Sequence, residues 1–80
     1  MAAHPLDDAL LRRAAERGPD KTFCPSETAR ELWPEDWRDR MEEVRAAAAR
    51  LVDRGHLRCT QRGAPADPLT ASGPIRLSQR

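Results

Sequence analysis

The sequence predicts a mostly α fold with a small β-sheet (α+β), in which three helices are followed by a β-hairpin. Apolar residues recur at helical spacing in three segments before Gly55. After this glycine, apolar and polar residues alternate as they do in strands, in His56–Gln61 and again in Gly73–Leu77. Three helices and a hairpin in a chain of 80 residues predict a winged helix-turn-helix, a single domain with an ordered core over about residues 5–77.

The first helix is predicted over Leu6–Arg17, with Pro5 in its first turn and Gly18 at its end. The second is predicted to begin after Cys24 and to run to Trp33. Cys24-Pro25-Ser26-Glu27 has the layout of a capping box, with cysteine in the place of the usual hydroxyl residue.

The third helix is predicted from about Asp36 to Arg54, with Gly55 as its left-handed cap. Its core stripe follows spacings of four, three, four and three residues: Trp37, Met41, Val44, Ala48 and Leu51.

The hairpin is predicted to place Leu57 and Cys59 on its inner face and to turn at Arg62-Gly63. Residues 64–73 form an excursion, after which Ile75 and Leu77 return to the inner face beside Leu57. Residues 78–80 are expected to fray.

Several short motifs resemble those of a bacterial winged-helix family of unknown function. The resemblance covers about Leu10 to Leu77, and it implies a winged-helix fold without implying an activity, a ligand or a catalytic residue. The motifs that carry it are Cys24-Pro25-Ser26-Glu27, Trp37, Val44-Arg45, Leu51 with Gly55, Gln61-Arg62-Gly63, Asp67-Pro68 and Gly73-Pro74-Ile75-Arg76.

Composition places the chain at the polar end of globular proteins, with 39% apolar and 34% charged residues. No stretch approaches the roughly 20 apolar residues of a membrane span, and the first residues do not resemble a signal peptide. A cytoplasmic location is therefore expected. Two cysteines, Cys24 and Cys59, are too few for a disulfide framework, so free buried thiols are predicted in preference to one structural disulfide.

No residue set predicts catalysis, a cofactor or a metal site. A thiol at a helix N-terminus, as at Cys24, ionises more readily than a free cysteine. A nucleophile also needs a positioned base, and His4 and His56 form no recognisable triad with it. The two histidines and two cysteines do not have zinc-finger spacing, so Cys24 is interpreted as a helix cap and the chain as a non-enzyme.

Charge placement favours nucleic-acid binding, with double-stranded DNA as the partner. Residues 1–55 hold ten basic and twelve acidic residues, whereas residues 56–80 hold four arginines and one aspartate. Carboxylates on the outer face of the third helix, Glu42 and Asp53 among them, argue against deep insertion into a groove walled by phosphates. The predicted phosphate contacts are Arg58, Arg62 and Arg76 from the wing and Arg40, Arg45 and Arg50 from the third helix.

The alternative is a protein-interaction or oligomerisation module with no nucleic-acid binding. Ala46, Ala49 and Trp33 would then form the contact surface for a protein partner or for a second copy in a homodimer.

Overall fold

The computed structural model describes residues 4–80, which form three helices and a three-stranded antiparallel sheet, a small winged-helix-like fold. The first and third helices are joined through a short second helix and one 3-10 turn, and the strands follow. The elements in chain order are α1 (Pro5–Arg17), α2 (Pro25–Leu32), the 3-10 turn (Trp37–Arg40), α3 (Met41–Asp53), β1 (Leu57–Gln61), β2 (Ala64–Pro65) and β3 (Arg76–Gln79).

The first two helices begin at N-terminal caps, of which the one at Cys24 is predicted from the sequence. The Nδ1 atom of His4 accepts a hydrogen bond from the Leu6 N–H (3.2 Å), and Pro5 occupies the first turn of α1. At α2 the Glu27 carboxylate accepts from the Cys24 backbone N–H (2.9 Å), so the predicted capping box forms. Both helices lie within one residue of the predicted bounds.

The third helix begins later than predicted. The prediction started it at about Asp36, but residues Trp37–Arg40 form a 3-10 turn instead. The Asp39 N–H bonds to the Asp36 carbonyl, three residues back, and α-helical geometry starts only at Met41. Tighter turns of this kind are frequent at helix N-termini. Trp37 is consequently half-buried at the rim of the core, rather than being a core residue as predicted.

The end of α3 confirms the glycine cap. Gly55 has φ +81°, its N–H bonds to the Val52 carbonyl, and the His56 N–H bonds to the Leu51 carbonyl. This pair of bonds is a Schellman motif, which satisfies carbonyls that the helix leaves free and turns the chain into β1.

The sheet has the order β2-β1-β3. Arg62 (φ +54°) and Gly63 (φ +83°) link β1 to β2, and positive φ at both positions defines a type I′ turn. Residues 66–75, called the wing loop below, lead to β3. The expected fraying from residue 78 is wrong, because Ser78 pairs with Arg58 and is buried, and β3 continues to Gln79.

A third line of pairing comes from the segment between α1 and α2. Phe23 forms an antiparallel bridge with Leu77, exchanging two backbone hydrogen bonds of 2.8 Å. The Phe23 side chain is fully buried, so this segment joins both the sheet and the core.

The core lies between the three helices and the inner face of the sheet. Leu57, Cys59 and Leu77 point inward from β1 and β3 as predicted, and Ile75 is buried beside them. Both cysteines are free thiols, as predicted, but Cys59 is buried whereas Cys24 is only half-buried. The buried apolar cluster is completed by Leu6, Leu10, Ala14, Phe23, Ala29, Val44, Ala47, Ala48 and Leu51.

In residues 4–80, no helix has both the length and the apolar character that crossing a membrane requires.

Candidate nucleic-acid interface

Arg45 is the most constrained of the arginines considered as phosphate contacts. Its guanidinium donates hydrogen bonds to the carbonyls of Ala71 (2.8 Å), Gly73 (2.6 Å) and, at 3.4 Å, Pro68. These three acceptors span the wing loop, so Arg45 fastens the loop to α3. With most of its donors used internally, this side chain has little capacity left for a ligand.

The other two arginines of the third-helix set also have partners within the chain. Arg50 forms an ion pair with Asp7 of α1 (3.0 Å), and that carboxylate is largely buried. Arg40 pairs with Glu43 (3.0 Å), and its guanidinium lies over the ring of Trp33, 5.0 Å from the centroid. The structure therefore places these two cations at contacts between elements rather than together on one open surface.

The outward face of α3 is acidic at both ends. Glu42 and Asp53 are exposed, and Ala46 lies between them, half-buried. Ala49, which was expected to be exposed, is only 8% exposed, because the wing loop lies along that side of the helix. Phosphate groups would meet two carboxylates on this face, which opposes their approach.

The outer face of the sheet has the opposite character. Alternation along β1 and β3 buries Leu57, Cys59 and Leu77, and it directs Arg58 and Arg76 away from the helices. Arg58 is opposite Ser78. Arg76 is opposite Thr60, so the two arginines occupy diagonal positions, a separation that long side chains span.

This basic face continues beyond β3 to Arg80. The Arg80 N–H bonds to the His56 carbonyl (3.4 Å), so pairing with the segment at the start of β1 continues to Arg80. The alternation of Arg76, Ser78 and Arg80 assigns all three to the same side of the sheet. The side chain of Arg80 is exposed. The strands β1, β2 and β3 contain no Asp or Glu, so no carboxylate of the strands offsets these charges.

The arginines of the sheet differ in how firmly they are held. The Arg76 Nε donates to Thr22 Oγ1 (3.0 Å), and a terminal nitrogen donates to the Thr22 carbonyl (3.4 Å). By contrast, Arg58, Arg62 and Arg80 form no ion pair and donate no side-chain hydrogen bond within residues 4–80. Arg62 lies at the tip of the β1–β2 turn, where both neighbouring positions are exposed or half-buried. Three exposed guanidinium groups are thus available for an anion.

Two features of this arrangement were not anticipated from the sequence. Arg80 continues the alternation of Arg76 and Ser78, and that spacing could have identified it if the end of the chain had been read as strand. Arg30 and Arg38 both lie over the ring of Trp37, at 4.2 and 4.4 Å from its centroid. No local pattern links Arg30 to a ring seven residues away, so this stack required the structure.

Among the described residues, no hydrogen bond joins a cysteine to a histidine. The Cys24 sulfur is half-buried and accepts a hydrogen bond from the Ser26 hydroxyl (3.1 Å). Burial raises the pKa of the Cys59 thiol, an effect that the nearby Arg45 charge opposes. In the part of the chain that the structure describes, no cluster of three or more His, Cys, Asp or Glu side chains could hold a metal ion.

Comparison with known proteins assigns the chain to a family. No curated protein matches the chain. A family model described as "Protein of unknown function (DUF3253)" matches residues 3–80, nearly the whole chain. The chain therefore belongs to the DUF3253 family.

Proposed function

We propose that this protein binds the backbone of double-stranded DNA with the outer face of its sheet and the tip of its β1–β2 turn. The observation that carries the proposal is the charge of this surface: Arg58, Arg76 and Arg80 share one face, Arg62 extends it, and the strands contribute no carboxylate.

Guanidinium chemistry suits this role. A planar guanidinium donates two parallel hydrogen bonds to phosphate oxygens, which makes arginine a favoured residue at nucleic-acid backbones. Hydroxyl groups of the same face, including Thr60, add donors of the kind that also bind phosphate and sugar oxygens. Arg76 is already oriented by Thr22, so less side-chain freedom is lost when it binds.

The acidic outer face of α3 sets the expected specificity. In most winged helix-turn-helix proteins the third helix reads base edges in the major groove. Here Glu42 and Asp53 oppose that placement, and Arg45 is committed to the wing loop. Binding should accordingly depend on phosphate contacts and show little preference among sequences.

Fluorescence anisotropy with a short labelled DNA duplex tests the proposal. With three to four phosphate contacts, the slope of log K against log salt should be about −3, so that affinity falls on the order of a hundredfold between about 50 and about 200 mM salt. A duplex of unrelated sequence should bind with nearly equal affinity.

A matched pair of double variants locates the surface. Arg58→Gln with Arg80→Gln should reduce the magnitude of the salt slope by about 2, because two phosphate contacts are lost. Arg12→Gln with Arg30→Gln removes the same charge from exposed positions on α1 and α2 and should leave most of the affinity. Absence of binding at low salt, or equal losses in the two double variants, would refute the proposal.

A further inference from the structure

A groove between α3 and the wing loop carries a second, chemically different surface. Its volume is about 370 Å³, within the range of clefts that hold small ligands or side chains. Its walls are mainly apolar, with two carboxylates at the rim. The residues that define this α3–wing groove are Ala49, Val52, Pro68 and Leu69, with Asp53 and Asp67.

The groove is preformed, because the wing loop that makes one of its walls is held by several hydrogen bonds. Arg45 holds the carbonyls of Pro68, Ala71 and Gly73, as described above. Gln61 Nε2 donates to the carbonyls of Ser72 (2.6 Å) and Pro74 (3.1 Å). A partner would therefore meet a fixed shape and would not have to order the loop on binding.

Leu69 gives the groove an exposed apolar contact. Its side chain is 60% exposed, and among residues 4–80 it is the large hydrophobic side chain that is left exposed to solvent. The Asp67 carboxylate accepts a hydrogen bond from the Leu69 backbone N–H (2.8 Å), and this turn holds the leucine outward while Pro68 beside it is buried.

The charges at the rim favour a cation. Asp53 and Asp67 are both exposed, and the ion pairs found within residues 4–80 involve other carboxylates. Arg45 approaches this wall from α3, but its donors are directed at loop carbonyls. A phosphate backbone would be repelled here, whereas a basic side chain would gain a carboxylate partner.

We propose that the α3–wing groove binds a segment of a partner protein in which an arginine or lysine stands next to an aliphatic residue. The aliphatic side chain packs against Val52 and Leu69, and the cation lies between Asp53 and Asp67.

A second copy of this chain cannot place a strand arginine in the groove together with an aliphatic neighbour. Leu57 and Leu77, which stand next to Arg58 and Arg76, are buried in the core. The groove residues that this proposal uses lie on α3 and the wing loop and not on the strand arginines, so the proposal does not depend on DNA binding.

Selection from a random peptide display library, followed by calorimetry with the selected peptides, tests the proposal. The expected peptides carry Arg or Lys beside Leu, Ile or Val, and replacing that basic residue by Glu should weaken binding at least tenfold. Asp53→Asn with Asp67→Asn should weaken binding about tenfold, because the rim charges are lost while the amide oxygen introduced at position 67 still accepts from the Leu69 N–H. Leu69→Ser should weaken it similarly.

The control is Asp20→Asn with Glu35→Gln, which removes two exposed carboxylates outside the groove and should leave peptide affinity unchanged. Thermal unfolding of each variant distinguishes loss of the groove from loss of the fold. The proposal is overturned if selection yields acidic peptides or no enrichment, if the control variant loses as much affinity as the groove variant, or if self-association at high concentration proves to occupy the groove.

Discussion

At the scale of single residues, Arg45 shows how a cation beside a predicted recognition surface can serve the fold. Its guanidinium supports the wing loop through three carbonyls. Arg45→Met should lower the free energy of unfolding by about 2 kcal/mol, because the loop carbonyls lose a charged donor. Urea unfolding followed by circular dichroism measures this loss.

Arg45→Lys separates charge from geometry in the same experiment. The ammonium group keeps the charge but is a compact donor that cannot match the guanidinium fork, so this variant should also be destabilised. If Arg45→Met kept full stability and lost DNA affinity instead, Arg45 would act as the phosphate contact considered from the sequence.

Arg62 is the non-glycine residue with positive φ in the described chain, at +54°. This conformation costs an ordinary side chain roughly 1 kcal/mol, whereas glycine and asparagine adopt it readily. Arg62→Gly should therefore stabilise the domain by up to about 1 kcal/mol while weakening DNA binding. Chemical unfolding and anisotropy on the same preparation check both effects.

The matched control is Arg62→Lys, which retains the charge and the strain and should change stability little. A less stable Arg62→Gly variant would contradict the strain argument. Retention of strain at a residue proposed to touch a ligand is the pattern found at functional sites.

At the scale of elements, Glu27 links α1 to α2. Its carboxylate caps α2 through the Cys24 N–H and forms ion pairs with Arg17 and, at 3.6 Å, Arg13. Burial opposes ionisation, but the hydrogen bonds from Cys24 and Arg17 outweigh it, so the pKa of Glu27 lies below its ordinary value of 4.5. The stability gained from this ionised group is complete above pH 4.5 and is lost as pH falls through the lower, folded-state pKa.

Glu27→Gln keeps an oxygen acceptor for the cap and removes the ion pairs. We expect a loss of about 1 kcal/mol or less at pH 7, because the paired groups are partly exposed to solvent. The difference from the parent chain should shrink as pH falls below 4.5. Urea unfolding at pH 7 and at acidic pH gives both values, and a difference that grows on acidification would be inconsistent with this role.

The elements were predictable where local chemistry defines them. Proline, the capping glutamate and Gly55 marked the helix ends, and alternation marked β1. The 3-10 turn and the last residues of β3 were not predictable in this way, since they depend on where Trp37 packs and on pairing of Ser78 with Arg58.

The candidate site was predictable in part for the same reason. The sequence indicated the basic character of the strands, because their composition lacks acids. It could not show that Arg45 reaches carbonyls more than 20 residues away, or that Arg50 pairs with Asp7. Such contacts join segments that are distant in the chain, and no local pattern in a single sequence predicts them.

At the scale of the whole molecule, the two proposed surfaces have opposite charge within a body of 30 × 29 × 20 Å. Salt screens the interaction between exposed charges over about 10 Å at 0.1 M, and this screening distance is longer at lower salt. Asp53→Asn with Asp67→Asn should therefore strengthen DNA binding modestly at low salt, by long-range electrostatics, and have little effect at high salt.

Anisotropy at two salt concentrations measures this coupling, with Asp20→Asn and Glu35→Gln as the control for net charge alone. Weaker DNA binding in the groove variant would mean that DNA contacts the α3–wing groove directly, and the division into two surfaces would then be wrong.

The bridge between Phe23 and Leu77 has a consequence for synthesis in the cell. It joins positions 23 and 77, and Leu77 belongs to the last strand of the sheet to be translated. Phe23 and β1 therefore leave the ribosome with their common partner still missing, and a pairing across so many residues closes slowly compared with a helix turn. Until β3 arrives, Phe23 lacks its pairing partner, so the nascent domain is most vulnerable to misassociation and proteolysis just before this strand emerges.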